Sequence, residues 1–374
     1  MKVLLVSPFS AKKVGGIGTW TKSVLDYSHN DTETSVIFQN TATLKLKRKI
    51  KGHFITLKRL FIGGLDSAKI LYTLFRNMQK YHPDVVHYTS SAGFALRKDR
   101  IAIFIVRKIF KKRFVIHWHF GRIPEMSNNN TREYKMLKKV HRMADASIVL
   151  DRFSAQALNN DGLRNIYVVP NALTQEVIEY SSSLDLPSIQ NMRKRNTVLF
   201  VGHIVNTKGV MELVEVCTQI DGVELIMIGP DLGQLRSTLR EIASQRENGD
   251  WLTFTGELTR DQVLSYYKSC SLFCLPSYSE GFPYVIMESM ACGCPIIATD
   301  VGAIPDMLAD ECGMVVKPKN VEQLKTAINR MLEGYDMAIT MGNNAFHKVM
   351  MDYSIESVYN SYKSIWNNIN GTNR

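Results

Sequence analysis

The stretch that decides the fold is LPSYSEGFPYVIME, residues 275–288. The apolar run before it, at 271–275, predicts a buried strand, and the residues after Pro283 predict a helix. Gly281 and Pro283 mark the turn between them. Because the first N–H groups of a helix lack partners, this turn suits a phosphate or another anion.

Two carboxylates, Glu280 and Glu288, flank this turn and the helix that follows it. A carboxylate about two helical turns into the helix can accept hydrogen bonds from ribose hydroxyls, as acidic residues do in other nucleotide sites. The alternative is a charged loop residue followed by a solvated helix residue. Spacing alone does not choose between them.

Strand-like and helix-like segments alternate along both halves of the 374-residue chain, which is long enough for two α/β domains. This alternation predicts parallel sheets covered by helices on both faces. We predict an N-terminal Rossmann-like domain at 1–180, a polar linker at 181–196 and a C-terminal Rossmann-like domain at 197–352. A last helix at about 353–370 is predicted to pack back on the N-terminal domain.

The charge is unevenly distributed. Residues 1–190 hold 30 Lys and Arg against 14 Asp and Glu, a net +16, whereas residues 191–374 carry a net −5. Basic clusters at 45–51, 58–59 and 107–113 suit an anionic membrane surface, nucleic acid or an anionic acceptor. A solvated basic face is an equal alternative. No basic strand with interleaved aromatic residues indicates RNA binding, so no nucleic-acid partner is expected.

Other features of the sequence narrow the class of protein. No apolar run approaches the roughly 18 residues of a membrane helix, and the N-terminus predicts a first buried strand and not a signal peptide. The six cysteines lack a paired zinc spacing, and no Asp-x-Asp metal signature occurs. We therefore expect buried thiols in a cytoplasmic protein that needs no metal and no cofactor.

Three more glycine turns end predicted strands in the second half: VGHIVNTKG at 201–209, IGPD at 228–231 and TGE at 255–257. Ligands of open α/β sheets bind outside the carboxyl ends of the strands, so these turns are expected to converge on one site. A glycine turn that enters a helix and carries one lysine, here Lys208, can hold a diphosphate.

Together these motifs resemble glycosyltransferase family 4, the retaining nucleotide-sugar transferases of the GT-B fold. The E-x₇-E element is similar to Glu280 and Glu288, and 200–202 with 208–209 is similar to the donor-phosphate motif. The resemblance runs nearly the whole chain and is strong over 197–317. It implies two doubly wound Rossmann-like domains that face each other across a cleft.

The resemblance also implies roles on the donor side. Lys208 would pair with the donor diphosphate, and Glu280 would approach the transferred sugar. Glu288 would bind the ribose. The phosphate or sugar end would be held around Gly281, Phe282 and Pro283, and the nucleoside would lie near Asp231, Gly256 and Glu257. His203 stands where the family usually has arginine, which leaves clamping of the phosphates by two cations open, since histidine is the weaker constant cation.

In the first half, Gly16 lies in a glycine run (15–18) that resembles the family's loop under the donor diphosphate; a plain flexible loop is the alternative. The sequence HWHFGR at 117–122 follows a predicted strand. The resemblance implies that His119 lies near the sugar and acts with Lys208 and Glu280 in catalysis. His117 is expected to be a packed neighbour and His87 a structural residue. Arg122 and Glu125 are expected to line the acceptor side.

The sequence therefore predicts a retaining glycosyltransferase that moves a sugar from a nucleotide-diphosphate donor to a glycan or lipid-linked acceptor. A UDP-sugar is the first expectation for the donor and a GDP-sugar the second. By analogy, the pathway is bacterial-type cell-surface polysaccharide biosynthesis, with the basic half on the anionic inner-membrane surface. The rivals are a sugar-nucleotide epimerase of the same fold and a non-catalytic nucleic-acid-binding protein.

Overall fold

The computed structural model describes residues 1–10, 16–42, 54–183, 185–186, 193–194, 196–247 and 249–371, with the side chains at 54–62 excluded. The basic cluster at 45–51, the side chains of the cluster at 58–59, Gly15 and half of the predicted linker lie outside this description. The chain divides into two compact units, and each is described by itself. The first comprises Met1–Asn171 with the residues from Val358 onward, and the second comprises Ala172–Ser357.

The first unit is built on a six-stranded parallel sheet with the order β2-β1-β3-β4-β5-β6. Its strands are β1 Lys2–Ser7, β2 Ser35–Asn40, β3 Val85–Ser90, β4 Arg113–Trp118, β5 Ala146–Val149 and β6 Ile166–Val168. Its helices include α1 Gly16–Ser28, α2 Phe54–Tyr81, α3 Ala95–Phe104, α4 Ile123–Asn128, α5 Arg132–Met143 and α6 Arg152–Asn160. A π-helical turn, Ile105–Ile109, continues α3.

The central strands of this sheet are buried along nearly their whole length, as expected for a parallel sheet with helices on both faces. On one face, side chains of α2, α3 and α5 join a single hydrophobic cluster with β3 and β4; Leu74, Leu96 and Leu137 are examples. These three helices therefore cover the same side of the sheet.

The second unit is built on another six-stranded parallel sheet, with the order β12-β11-β10-β7-β8-β9. Its strands are β7 Thr197–Val201, β8 Glu224–Ile228, β9 Leu252–Gly256, β10 Leu272–Leu275, β11 Ile296–Thr299 and β12 Met314–Val316. The remaining helices are α7 Gln175–Ser182, α8 Val210–Thr218, α9 Arg236–Ala243, α10 Arg260–Ser269, α11 Tyr284–Ala291, α12 Ile304–Met307, α13 Val321–Glu333, α14 Tyr335–Asp352 and α15 Ile355–Gly371. The last of these, α15, belongs to the first unit from Val358 onward.

The strand order of the second sheet reverses between β7 and β10, which are neighbours although they are far apart in sequence. In open α/β sheets, such a switch point is where the loops after the strands part and leave a crevice for a ligand. The two loops concerned carry the glycine turn at 201–209 and the stretch at 275–288. The two parallel α/β sheets confirm the predicted fold class.

Helix α14 is a feature that the sequence analysis did not predict. Gly342 lies in its middle, where glycine costs about 1 kcal/mol relative to alanine. The reason is close packing, because a Cβ at this position would lie only 3.1 Å from the carbonyl carbon of Gly293 and closer still to its oxygen. The glycine that weakens the helical pattern is therefore the residue that lets α14 pack on the turn after α11.

Arg193, which lies within the predicted linker, is buried in the second unit. Its guanidinium donates hydrogen bonds to the carbonyls of Tyr267, Cys270, Cys292 and Gly293 at 2.8–3.2 Å. All six cysteines are buried and free. In the part of the chain that the structure describes, no helix combines the length and the apolar character needed to cross a membrane.

Candidate active site

Backbone contacts join the strand-end loops of the second sheet into a continuous rim, and three of these loops follow β7, β8 and β9. The N–H of Gly202 donates to the Ile228 carbonyl at 2.9 Å, and the N–H of Gly229 donates to the Gly256 carbonyl at 2.8 Å. Gly229 has a φ of +134°, and a Cβ there would lie 2.9 Å from the carbonyl carbon of Gly202. The glycine turns thus meet as predicted, and they can do so because glycine has no side chain that would hold the backbones apart.

The rim continues across the switch point. The N–H of Tyr278, after β10, donates to the Thr207 carbonyl, after β7, at 2.9 Å. Gly209 has a φ of +67°, and a Cβ there would overlap the backbone of Pro276. Only glycine fits this left-handed position against another backbone.

Lys208 and Glu280 meet at this junction. The Lys208 ammonium lies 2.5 Å from Oε1 of Glu280, and the two side chains are 25% and 11% exposed. Sequence reasoning selected both residues and did not predict their direct contact. Their pairing places a cation beside a carboxylate at the switch point of the second sheet.

Two helices begin at the same junction. Helix α8 starts after Gly209 and α11 starts after Pro283, and no side chain that the structure describes caps either start. The first N–H groups of a helix need partners, and the helix dipole favours an anion there. Together with Lys208, the two uncapped helix starts make this end of the sheet electropositive, although Glu280 offsets part of that charge.

The residues around the turn after β10 have distinct positions. Gly281 accepts a hydrogen bond through its carbonyl from the N–H of Ala303, which ties the loop after β11 to the same rim. Phe282 is 8% exposed, and its ring meets that of Tyr353 edge-on at 5.4 Å. Pro283 is buried and occupies the N-cap of α11. The predicted phosphate-binding turn is therefore held in place by buried side chains and by a backbone hydrogen bond.

The hydroxyl of Tyr278 donates to Oε1 of Glu212 on α8. Burial and the adjacent carboxylate raise the pKa of Tyr278 to about 12, so the phenol keeps its proton and holds the two loops together. Sequence reasoning did not find this pair, because nothing in either local pattern relates residue 212 to residue 278.

Glu288 lies on α11 with its side chain 12% exposed, and Oε1 is 3.6 Å from Nη2 of Arg260. Burial raises the pKa of Glu288 above its usual range, while the charge of Arg260 lowers it. Arg260 also donates to Oγ1 of Thr174 at 2.7 Å. The predicted ribose-binding carboxylate thus has a cationic partner that the sequence analysis missed, and that partner follows the loop after β9.

The other donor-side residues of the second unit are spread along the rim. His203 and Glu257 are exposed. Asp231 accepts hydrogen bonds from the N–H groups of Leu235 and Arg236, so its carboxylate stabilises the start of α9. Gly256 ends β9 with a φ of +77°. Their assigned roles in nucleoside and phosphate binding stay predictions.

In the first unit, Gly16 is the exposed first residue of α1. His119 follows β4 and packs against the ring of Trp20 on α1, with centroids 4.6 Å apart. His117 stacks on His119 at 3.9 Å, and the rings of His87 and His117 also contact Trp20. The three histidines therefore form one cluster, in which His87 and His117 are buried and His119, the predicted catalytic residue, is partly buried.

Burial lowers the pKa of all three imidazoles, for His87 and His119 to about 3. They are therefore neutral at physiological pH, and the hydrogen bonds assign two tautomers. The indole N–H of Trp366 on α15 can only donate, and it points at Nδ1 of His87 at 3.2 Å. His87 must then carry its proton on Nε2.

Nε2 of His87 lies 3.1 Å from Nδ1 of His117, so His87 donates and His117 carries its own proton on Nε2. Among the described residues, neither Nε2 of His117 nor Nε2 of His119 has a hydrogen-bond partner, although both atoms are buried. A buried polar atom without a partner is costly. The cluster thus offers one fixed donor, on His117, and one further ring nitrogen, on His119, to a polar ligand.

No group of three or more His, Cys, Asp and Glu side chains suited to hold a metal ion occurs among the residues that the structure describes. Arg122, expected on the acceptor side, lies 3.7 Å from Glu133, and Glu125 is in the first turn of α4.

Comparison with known proteins gives concordant results. A family model described as "Glycosyl transferases group 1" matches residues 185–348. A relative in Bacillus subtilis (strain 168), provisionally named teichuronic acid biosynthesis glycosyltransferase TuaC, is 27% identical over 261 residues, which are 67% of this chain and 61% of that protein. The first curated relatives are matched over 31–61% of their lengths.

Solved structures match nearly the whole chain. Sucrose-phosphate synthase from Thermosynechococcus elongatus has a TM-score of 0.73 and 19% identity, with 99% of each chain covered. HepE from Anabaena, solved in complex with UDP-glucose, has a TM-score of 0.65 and 17% identity over 97% of this chain and 98% of that one. At these identities the likeness shows the fold, which is that of GT-B glycosyltransferases. Residues 185–348 of this chain therefore resemble the group 1 glycosyl transferases.

Proposed function

We propose that this protein is a retaining glycosyltransferase of family 4 that uses a nucleotide-diphosphate sugar as donor. The observation that carries the proposal is the pairing of Lys208 with Glu280 where the two switch-point loops of the second sheet meet, beside two uncapped helix starts. A diphosphate needs positive groups that are already in position, and this junction has them.

In the proposed complex the diphosphate takes the place of Glu280 as the partner of Lys208. The Lys208 ammonium and the first N–H groups of α8 and α11 then face the leaving diphosphate as its negative charge develops. Preorganised donors of this kind stabilise a transition state more than a ground state. In this proposal they take the part that a metal plays in other transferases, and Glu280 is released toward the sugar.

The order of the loops along the rim supports an orientation for the donor. The nucleoside lies toward the loops after β8 and β9, near Asp231, Gly256, Glu257 and the Glu288–Arg260 pair. The sugar lies beyond the turn of Gly281 and Pro283. A UDP-sugar is the first candidate, supported by the UDP-glucose bound to the structurally similar HepE, and a GDP-sugar is the second.

For the acceptor side we propose a hydroxyl of a glycan or a lipid-linked sugar, bound by the first unit, with His119 near the transferred sugar. The name of the Bacillus relative supports a place in cell-surface polysaccharide biosynthesis. The basic first unit would hold the enzyme at the cytoplasmic face of an anionic membrane. The membrane would attract this part of the chain because residues 1–190 carry a net charge of +16.

The test is to incubate the protein with UDP- and GDP-sugars, with and without membrane extracts, and to follow release of the nucleoside diphosphate. The proposal predicts release from one donor, slowed at least tenfold in Glu280→Gln, and a product with the donor's anomeric configuration by NMR. Conversion of the donor sugar without any acceptor would indicate an epimerase. Inversion of the anomeric centre would contradict the retaining mechanism.

A further inference from the structure

Three neighbouring helices of the first unit present a common outer surface. Helices α2, α3 and α5 bury side chains in the same hydrophobic cluster against the sheet, and α3 contacts both of the others. Their exposed side chains therefore point away from that cluster, toward the same side of the unit. This outer surface is unusual in both its charge and its apolar content.

Helix α3 exposes large apolar side chains among cations. Arg97, Ile101 and Phe104 on α3 are exposed at intervals of four and three residues, and so is Lys108 in the π-helical turn that continues it. Ile101 and Phe104 keep 50% and 52% of their surface. Phe94, just before the helix, is 82% exposed. A contiguous set of exposed aromatic and aliphatic side chains marks an interaction surface more often than a solvated helix.

Helix α5 adds a row of positive charge beside α3. Arg132, Lys135, Lys139 and Arg142 are exposed at spacings of three and four residues, so they lie on one stripe. None of them forms an ion pair with a residue in the described part of the chain. The positive charge of the row is therefore not neutralised by an ion pair within the described part of the chain.

Helix α2 shows the same mixture. Leu65, Lys69, Tyr72 and Arg76 are exposed at spacings of four, three and four residues, and Leu65 and Tyr72 keep 57% and 63% of their surface. Across residues 63–81, 94–112 and 132–143 the sequence has 15 Lys and Arg against three Asp and Glu. One of those acids, Asp99, is fully buried.

We infer that these exposed residues of α2, α3 and α5, here called the lipid face, dock the first unit on an anionic lipid bilayer. Cations attract the acidic headgroups, while Ile101, Phe104 and Tyr72 enter the boundary between headgroups and acyl chains. A nucleic acid would satisfy the cations alone and would leave the apolar side chains in water. This inference rests on the membrane association proposed above, and it identifies the lipid face as the surface that contacts the membrane.

The test uses the full chain without donor or acceptor, so that its outcome is independent of transferase activity. Flotation with vesicles of equal phosphatidylglycerol and phosphatidylcholine is compared with flotation on pure phosphatidylcholine. Each cation near an anionic surface contributes about 1 kcal/mol, or about fivefold in affinity. Lys135→Gln/Lys139→Gln should therefore weaken binding to the anionic vesicles about 25-fold.

The matched control for charge is Lys325→Gln/Arg330→Gln, which removes two cations from α13 in the second unit and should change binding less than twofold. Ile101→Ser/Phe104→Ser should weaken binding at least tenfold with the charge unchanged. Its control is Leu232→Ser, which removes an apolar side chain that is 63% exposed in the second unit. Far-UV circular dichroism and thermal unfolding verify that each variant is folded.

Three results would overturn the inference. One is equal flotation on both kinds of vesicle, and another is equal loss of binding in a variant and its control. The third is loss of single-stranded RNA binding in Lys135→Gln/Lys139→Gln with vesicle binding unchanged, which would assign the surface to nucleic acid.

Discussion

A methyl group added at Gly209 tests the junction on which the candidate site is built. The residue has a φ of +67°, and a Cβ there would lie 2.8 Å from the carbonyl carbon of Pro276 and closer still to its oxygen. The left-handed conformation costs alanine about 1–2 kcal/mol. Overpacking against a backbone that must move adds about 1–3 kcal/mol.

Gly222→Ala is the matched control. Gly222 lies in the same unit with a φ of +70°, but the nearest atom to an added Cβ is 3.6 Å away, an ordinary contact. It should therefore bear only the conformational cost. Since 1 kcal/mol corresponds to roughly 2–4 °C for a domain of this size, Gly209→Ala should melt about 2–12 °C below Gly222→Ala.

Differential scanning calorimetry of both variants measures this difference, and titration with nucleoside diphosphates adds a functional comparison. Separation of the loops after β7 and β10 should break the contacts between Tyr278 and Thr207 and between Lys208 and Glu280, so Gly209→Ala should also bind the ligand more weakly than the control. Equal melting temperatures and equal affinities would refute the packing of one loop on the other.

Two further predictions concern buried ionisable groups. Arg260→Ala should destabilise the second unit by about 1–3 kcal/mol at pH 8, because it leaves Glu288 buried without its cation. The loss should be smaller at pH 5, since a carboxyl whose folded pKa is raised gives up stability as the pH rises, and urea unfolding of Arg260→Ala/Glu288→Gln should not show this pH dependence. The histidines act in the opposite sense: with folded pKa values of about 3 for His87 and His119, the stability of the first unit should be complete above pH 6.5 and fall as the pH drops toward 3. Nitrogen NMR of the imidazoles should show neutral rings at pH 5.5 with the proton on Nε2 of His87 and His117. In Trp366→Phe the His87 ring should no longer be held in that tautomer. Protonated rings at pH 5.5 would contradict the assignment.

Local pattern was sufficient to predict the two sheets and the strand-end turns, because glycine, proline and short apolar runs act within a few residues. It selected Lys208 and Glu280, and the structure pairs them. It also gave the correct element type for α11, whose start at Pro283 is set by the turn before it. The positions of these residues at the switch point follow from the strand order of the second sheet.

What local pattern could not supply were partners distant in sequence. Arg260 pairs with the Glu288 carboxylate, and Glu212 accepts a hydrogen bond from the Tyr278 hydroxyl. Trp366 fixes the tautomer of His87 from 279 residues away. Helix α14 was not predicted for a related reason, since the glycine at 342 is explained only by its close contact with the backbone of Gly293. Burial and pairing depend on tertiary contacts that no single window of sequence contains.

The measurement that tests the central claim most directly is isothermal titration of UDP and GDP into the full chain and into Lys208→Met. One of the two nucleotides should bind, and Lys208→Met should lower the affinity for it roughly 10-fold to 150-fold, the equivalent of about 1.5–3 kcal/mol for a hydrogen bond to a charged group. Lys325→Met, which removes a surface cation of the same unit, should leave the affinity unchanged. Unchanged affinity in Lys208→Met, or no binding of either nucleotide to the unsubstituted chain, would contradict the account.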